Sequence, residues 1–229
     1  MSLLTRLSWH PAADPEAADG FPFSVPAIRT LPALDLSAPV TFFVGENGSG
    51  KSTLLEAIAA AADLPTIGSE RDVWRDDSLA PQRVLARALR LSWANRTRYG
   101  FFLRAEDFFG YLRQRARDDA RLARELGGTD PVFSDEDDGA RHPDEIAAAA
   151  YLARHDARSH GESFLDLFEA RLDSSGLYLL DEPETPLSPR RQLTLLSMML
   201  DAVRGRAQFV VATHSPILLA FPGARIYSF

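Results

Sequence analysis

Hydrophobic residues recur along this chain in short continuous runs and in alternation with polar residues, and both patterns indicate β-strands. Continuous runs, which are typical of strands buried in a parallel sheet, lie at 39–44, 177–180 and 208–212. Further strands are predicted at 89–93, 99–103 and 224–228. Two more short strands are predicted within residues 21–36, broken at Pro26 and Pro32, after a lead-in with short edge structure over residues 1–20.

Apolar residues three and four apart predict helices between these strands. Helices are predicted at 50–62, 106–126, 143–154, 162–172 and 188–203, with a helical turn at 216–220 and a polar loop at 66–80. Strands that alternate with helices predict an α/β fold with a mainly parallel central sheet and an antiparallel β edge. The helix-rich block at about 105–172 is interpreted as a helical subdomain inserted into a single domain that spans residues 1–229.

Composition narrows the class of protein. The chain has 229 residues, enough for one large domain or two small ones. It has no cysteine, which excludes disulfides and thiolate metal sites. No apolar run approaches the roughly 20 residues that span a bilayer, and the first residues lack the apolar core of a signal peptide, so a cytoplasmic location is expected. The net charge of −7 does not favour nucleic-acid binding by the chain as a whole, although a local basic face could form.

A glycine-rich loop follows the strand at 39–44 and precedes the helix at 50–62. Strand, loop and helix are the setting in which the pattern G-x-x-x-x-G-K-[ST] binds the phosphates of a nucleoside triphosphate. Lys51 can reach the β- and γ-phosphates, and the Ser52 hydroxyl can bind Mg²⁺. The predicted phosphate-binding residues are Gly45, Glu46, Asn47, Gly48, Ser49, Gly50, Lys51, Ser52 and Thr53.

Acidic residues and a histidine follow the two later buried strands. Asp181 and Glu182 come directly after the strand at 177–180, at the sheet edge where α/β proteins bind ligands. We expect Asp181 to hold Mg²⁺ and Glu182 to take a proton from the attacking water. His214 follows the next strand and could hydrogen-bond the γ-phosphate or that water. The acidic run at 134–139 predicts an exposed connection, because it implies no fixed carboxylate geometry.

A serine and a glycine precede the helix at 162–172. Ser159, Gly161 and Glu162 could form a second anion-binding helix N-terminus, although the same residues also suit an ordinary helix cap.

In this order, the phosphate loop, helical insertion, Ser-x-Gly segment, Leu-Leu-Asp-Glu-Pro strand and Thr-His pair resemble the ABC-type ATPase domain. The likeness extends from about residue 21 to 229 and is strongest for small stand-alone AAA-family ATPases related to the RecF and SMC branch. The resemblance implies an ATP- and Mg²⁺-dependent homodimer, in which Ser159 and Gly161 of one copy contact the γ-phosphate held by the other. Residues 184–188 would form the D-loop segment that crosses to the partner, and His214 would be the switch histidine.

This sequence departs from that family pattern at two positions. The glutamine expected after the strand before the helical insertion is missing, and Arg104-Ala105-Glu106 stands there instead. Glu106 is a candidate Mg²⁺ or water ligand in its place, or simply an acid at a helix N-terminus. Phe23 and Arg29 are candidates for stacking on adenine, and each could equally belong to an edge strand.

Three functions remain open for such an ATPase. It could act in DNA maintenance or defence, with DNA as a partner. It could be the nucleotide-binding subunit of a membrane transporter, which the missing glutamine makes weaker. It could also be a non-hydrolysing nucleotide switch or a toxin–antitoxin component.

Overall fold

A computed structural model describes residues 2–67, 80–108, 160–173 and 175–229. Strands in these ranges are β1 (Leu4–Trp9), β2 (Leu34–Asp35), β3 (Val40–Val44), β4 (Thr66–Ile67), β5 (Leu89–Trp93), β6 (Gly100–Arg104), β7 (Leu177–Asp181), β8 (Gln208–Ala212) and β9 (Arg225–Ser228). Helices are α1 (Pro26–Arg29), α2 (Lys51–Ala62), α3 (Ala80–Ala88), α4 (His160–Arg171), α5 (Pro189–Arg204) and α6 (Pro216–Leu219). Within these ranges, no helix is long and apolar enough to cross a membrane.

The central sheet has the strand order β4-β6-β7-β8-β3-β9, and all of its pairs are parallel. Its inner strands are fully buried along their length in β7 and β8, as the continuous apolar runs predict. Strand β8 lies between β7 and β3, so the segments that follow β3, β7 and β8 emerge at one edge of the sheet. The predicted α/β fold with a mainly parallel sheet is confirmed.

A second sheet of order β2-β1-β5 is antiparallel and covers α2. Its buried leucines pack with the apolar face of α2 and with one face of the central sheet. On the opposite face of the central sheet, α4 and α5 contribute buried residues such as Phe164, Phe168 and Leu195. Helix α2, which begins at the phosphate loop, is therefore enclosed between the two sheets.

Several local predictions are wrong. Of the two strands predicted within residues 21–36, the one after Pro32 is confirmed as β2. The other is wrong, because the short helix α1 begins at Pro26, whose fixed φ suits the first position of a helix. Strand β1 lies within the predicted lead-in, where a register shift between Leu4 and Arg6 interrupts its alternation. Residues 66–67 form β4 and residue 80 begins α3, both within the predicted loop.

The residues that the structure describes include only part of the predicted helical insertion. The helix predicted at 162–172 is confirmed as α4, and residues 105–108 are helical, where the helix at 106–126 was predicted to begin. The remainder of that helix, the helix at 143–154 and the acidic run at 134–139 lie outside the described residues. The inserted subdomain at about 105–172 therefore stays a prediction.

The side chain of Gln208 joins the two sheets. Its Oε1 accepts hydrogen bonds from the backbone N–H groups of Leu3 and Leu4, at 2.9 and 2.7 Å. Its Nε2 donates to the carbonyl oxygens of Leu4 and Leu36, at 2.8 and 2.5 Å. Because these backbone groups are buried, no water can replace the amide.

We predict that Gln208→Leu lowers the free energy of unfolding by about 3 kcal/mol, because it leaves several buried backbone groups without partners. Urea denaturation measures this change. The control is Thr194→Ala, which alters an exposed side chain of α5 and should stay within about 0.5 kcal/mol of the original protein. A Gln208→Leu protein as stable as the control would contradict the proposed role of the amide.

Candidate functional site

The phosphate loop joins β3 to α2 through backbone conformations that favour glycine. Gly50 has φ of +103°, and a Cβ there would lie 2.9 Å from Cγ1 of Val25. A Cβ on Gly45 would lie 2.6 Å from the carbonyl oxygen of Phe229. Glycine at these two positions therefore allows the loop to pass closely between α1 and the end of the chain.

Lys51 and Ser49 direct polar groups into this loop. Lys51 is only 4% exposed, and its Nζ donates to the carbonyl oxygens of Gly45 and Glu46, at 2.8 Å each. The Oγ of Ser49 is buried and has no hydrogen-bond partner among the described residues. A cationic group, an unpaired hydroxyl and the N-terminus of α2 together fit a phosphate chain.

Ser52 and Asp181 meet at the carboxyl edge of the sheet. The Ser52 Oγ donates to Oδ1 of Asp181 at 3.0 Å, although 129 residues separate them in sequence. Burial raises the pKa of Asp181 to about 7, and the carboxylates of Glu56 and Glu182 add to this, whereas the Ser52 hydroxyl and Arg104 oppose it. A divalent cation would offset the cost of burying this charge.

These residues fit Mg²⁺. Within the ranges that the structure describes, no group of three or more acidic or histidine side chains gathers to hold a metal. Mg²⁺ is typically held by one or two protein oxygens, with water and nucleotide phosphates completing its coordination. The hydroxyl of Ser52 and the carboxylate of Asp181 supply such a pair, beside the loop that fits the phosphates.

Glu182 and His214 form a second pair at the same edge. Nε2 of His214 lies 3.2 Å from Oε1 of Glu182. Glu182 has φ of +48°, a left-handed conformation that a residue other than glycine rarely adopts, and its N–H donates to the carbonyl of Ala212 at 2.9 Å. Such strain tends to occur at functional sites, where the surrounding structure enforces it.

Arg104 lies beside Asp181 and was not singled out from the sequence. The two residues are register partners on β6 and β7. The guanidinium of Arg104 lies 3.4 Å from Glu56, and both side chains are largely buried, with 14% and 8% exposure. Arg104 ends a strand that lies next to the strand ending in Asp181. A basic residue at that position is a sequence signal that could have indicated the contact.

The Glu106 side chain is exposed to solvent beside Arg104. Its side chain is 79% exposed, and its Oε1 lies 3.5 Å from Arg104. The structure therefore does not bring Glu106 to Ser52 and Asp181, and its role as a metal ligand stays a prediction.

The described part of the Ser-x-Gly segment packs against the N-terminus of α5. A Cβ on Gly161 would lie 2.7 Å from Cδ of Arg191 and 3.0 Å from the carbonyl oxygen of Pro186. Glu162 pairs with Arg191 at 2.7 Å. Close packing thus accounts for the glycine within one chain. Ser159 lies outside the described residues, and nucleotide contact by this segment stays a prediction.

The two candidates for stacking on adenine have other contacts. Phe23 is buried, and its ring centroid lies 6.3 Å from that of Trp9. Arg29 donates to the carbonyl oxygens of Phe23 and Ala18, at 3.2 Å each. Phe23 is therefore part of the core, whereas Arg29 is exposed, and the adenine contact stays a prediction.

Two family models match separate parts of the chain. One is described as an AAA domain and matches residues 28–71, which contain the phosphate loop. The other is described as "AAA domain, putative AbiEii toxin, Type IV TA system", and it matches residues 147–220, which contain Asp181, Glu182 and His214. The chain is a P-loop ATPase that matches AAA domains in both segments. Members of this class bind nucleotides, typically with Mg²⁺, and generally hydrolyse ATP.

Curated relatives of this P-loop ATPase include two mycobacterial proteins, from Mycobacterium bovis and Mycobacterium tuberculosis. Each is named a multidrug efflux ATP-binding/permease protein and is 30% identical over 191 residues, which are 82% of this chain. The chain spans only 15% of the length of these relatives.

Solved structures similar to this P-loop ATPase include the SMC head domain from Thermotoga maritima. It is 15% identical, with a TM-score of 0.41 over 100% of this chain and 94% of that chain. An ATP-binding cassette of an ABC transporter, in its ADP conformation, is 14% identical, with a TM-score of 0.42 over 100% of this chain and 87% of that chain.

We predict that Arg104→Met destabilises the protein in a pH-dependent manner. Burial raises the pKa of Glu56, and Arg104 opposes that rise, so the variant leaves a buried carboxylate unpaired. The loss should be about 3 kcal/mol above neutral pH. A raised folded-state pKa penalises the charged form, so the loss should shrink as the pH falls and Glu56 takes up a proton.

Thermal and urea unfolding between pH 5 and about pH 8 measure this dependence. The double variant Glu56→Gln with Arg104→Met removes the unpaired charge and should recover much of the stability at high pH. A loss that is equal at both ends of the pH range, or that the double variant does not reduce, would contradict the ion-pair explanation.

Proposed function

We propose that this protein is an Mg²⁺-dependent ATPase that dimerises around ATP. The observation that carries the proposal is the 3.0 Å hydrogen bond between Asp181 and Ser52, the last residue of the phosphate-loop pattern. It joins the two segments whose chemistry suits phosphate and metal, and the Glu182–His214 pair lies at the same edge.

Substrate binding rests on the loop from Gly45 to Thr53. Its N–H groups and the Lys51 ammonium bind the phosphate oxygens, and the N-terminus of α2 adds a favourable partial charge. Ser52 and Asp181 hold Mg²⁺, which when bound neutralises the charge that develops on the phosphate oxygens. Lys51 releases the carbonyl oxygens of Gly45 and Glu46 to reach the phosphates.

Hydrolysis rests on Glu182. A water oxygen attacks the γ-phosphorus while the bond to the bridging oxygen breaks, which produces phosphate and ADP. Glu182 accepts the proton that the water loses. His214 donates a hydrogen bond to the γ-phosphate or to this water, and its contact with Glu182 keeps the two groups together.

The dimer supplies the remaining contacts. Ser159 and Gly161 of one copy approach the γ-phosphate bound by the other, with Glu162 next to them in the same segment, and the segment 184–188 crosses between the copies. A two-fold arrangement of this kind uses the same surface on both copies, so each subunit contributes both halves of a site.

We predict that Glu182→Gln lowers ATP turnover by at least about 100-fold, because the amide cannot accept the proton. Nucleotide affinity, measured by equilibrium binding, should remain within about threefold, because Lys51 and the loop are unchanged. Glu169→Gln, an exposed residue of α4, is the matched control and should keep full turnover. Unchanged hydrolysis by the Glu182→Gln protein would overturn the assignment of the base.

We predict that the Glu182→Gln protein forms a dimer with Mg²⁺ and ATP, because the nucleotide that bridges the copies is not consumed. Light scattering during gel filtration measures the molar mass with and without ATP. Lys51→Ala, which removes a phosphate ligand, should stay monomeric in both conditions. A monomer in the presence of saturating ATP would contradict the composite site.

A second candidate is the nucleotide-binding part of a membrane transporter, which the efflux relatives favour. Co-purification with a membrane protein would support it. Turnover measured with and without DNA tests a role in DNA maintenance or defence. ATP binding without turnover by the unaltered protein would indicate a nucleotide switch, or the toxin–antitoxin component that the second family match suggests.

A further inference from the structure

Glu184 turns its carboxylate towards the end of β8 and away from solvent. Its Oε1 accepts hydrogen bonds from Oγ1 of Thr213 at 2.7 Å, the N–H of His214 at 2.6 Å and the N–H of Ser215 at 3.1 Å. One oxygen of Glu184 therefore holds three consecutive residues, with His214 in the middle. Nothing in the local sequence around Glu184 indicates these contacts, because the partners lie about thirty residues later.

A second link joins the same two segments. The Oγ of Ser215 donates to Oε1 of Gln192 at 2.6 Å, and Nε2 of Gln192 donates to the carbonyl oxygen of Leu187 at 3.1 Å. The turn that follows β7 is itself closed by the N–H of Thr185, which donates to the carbonyl oxygen of Glu182 at 3.0 Å. Residues 182–187 and 213–215 thus form one connected unit.

Oε2 of Glu184 is buried, and it has no hydrogen-bond partner in the part of the chain that the structure describes. An unpaired buried oxygen is unfavourable, whereas hydrogen bonds from N–H and O–H groups to a carboxylate are among the strongest in proteins. The three hydrogen bonds that Oε1 accepts offset the cost of burying Oε2. All three come from residues 213–215, the segment that carries His214.

We propose that Glu184 is a positioning residue, whose Oε1 fixes the backbone of residues 213–215 so that the His214 imidazole stays against Glu182. The inference rests on the proposed ATPase function, in which Glu182 and His214 act on the attacking water. Glu184 itself does not touch the reacting atoms.

Three substitutions separate the contributions of the oxygen, the charge and the reach of the side chain. Glu184→Gln keeps an oxygen for the three donors and should retain kcat within about threefold. Glu184→Ala removes that oxygen, and Glu184→Asp shortens the side chain by one methylene. Both should lower kcat at least about tenfold, with KM for ATP within about threefold, because Lys51 and the phosphate loop are unchanged.

Two controls distinguish positioning from general loss of stability. Glu169→Gln repeats the Glu-to-Gln change at an exposed site and should have no effect. Gln208→Leu weakens the fold at the opposite end of β8, and its folded fraction should keep the kcat of the original protein.

If Glu184→Ala does not fold, Glu184→Asp carries the test. Normal kcat in folded Glu184→Ala or Glu184→Asp protein would overturn the proposal, as would a tenfold loss in Glu184→Gln.

The amide resonances of His214 and Ser215 provide a readout that does not depend on turnover. In nuclear magnetic resonance spectra, both should shift in Glu184→Ala and stay close to their original positions in Glu184→Gln, together with the His214 imidazole signals. If the unaltered protein has no ATPase activity, the proposed function fails, and unshifted His214 signals in Glu184→Ala would separately overturn the role of Glu184.

Discussion

Parallel pairing of β6, β7 and β8 holds the carboxyl ends of three distant segments side by side. In this register Arg104 is opposite Asp181, and Asp181 is opposite Ala212, the residue before the Thr213–His214 pair. Because the side chains within these strands are apolar and buried, the polar residues at the strand ends lie at the open edge of the sheet. The contacts between these strand ends depend on this register, since a shift of one residue would reverse the face of each side chain.

Charge burial is the second constraint on this edge. Asp181, Glu56 and Arg104 lie close together with little access to water. Burial and the carboxylates of Glu56 and Glu182 raise the pKa of Asp181, whereas the Ser52 hydroxyl and the Arg104 guanidinium oppose that rise. Such a cluster stabilises the fold weakly, because the desolvation of each ion offsets much of the attraction. The cluster instead suits cation binding, because a bound cation would offset the cost of burying the Asp181 carboxylate.

Strands and helices with strong internal patterns were predictable. The runs at β3, β7 and β8 are continuous and apolar because both faces of the sheet are covered, and α5 buries Leu195, Met199 and Ala202 at helical spacing. The misses have local causes. β1 contains a register shift, α1 has one turn and begins at a proline that also suits a strand end, and β4 has two residues. Elements of this length have too few positions to establish a period.

The sequence by itself determined the phosphate loop and the polar strand ends, because their chemistry depends on residues that are adjacent in the chain and on the carboxyl edge that parallel strands share. Only the tertiary structure decided how those groups are paired: Ser52 with Asp181, Arg104 with Glu56, and Glu184 with the backbone of His214. The tertiary structure also exposes Glu106 to solvent. In the sequence, Glu106 follows β6 near the position where the family pattern has a glutamine ligand. The physical reason is that side-chain hydrogen bonds and ion pairs act over a few ångströms in space, and strand register sets those distances independently of separation along the chain.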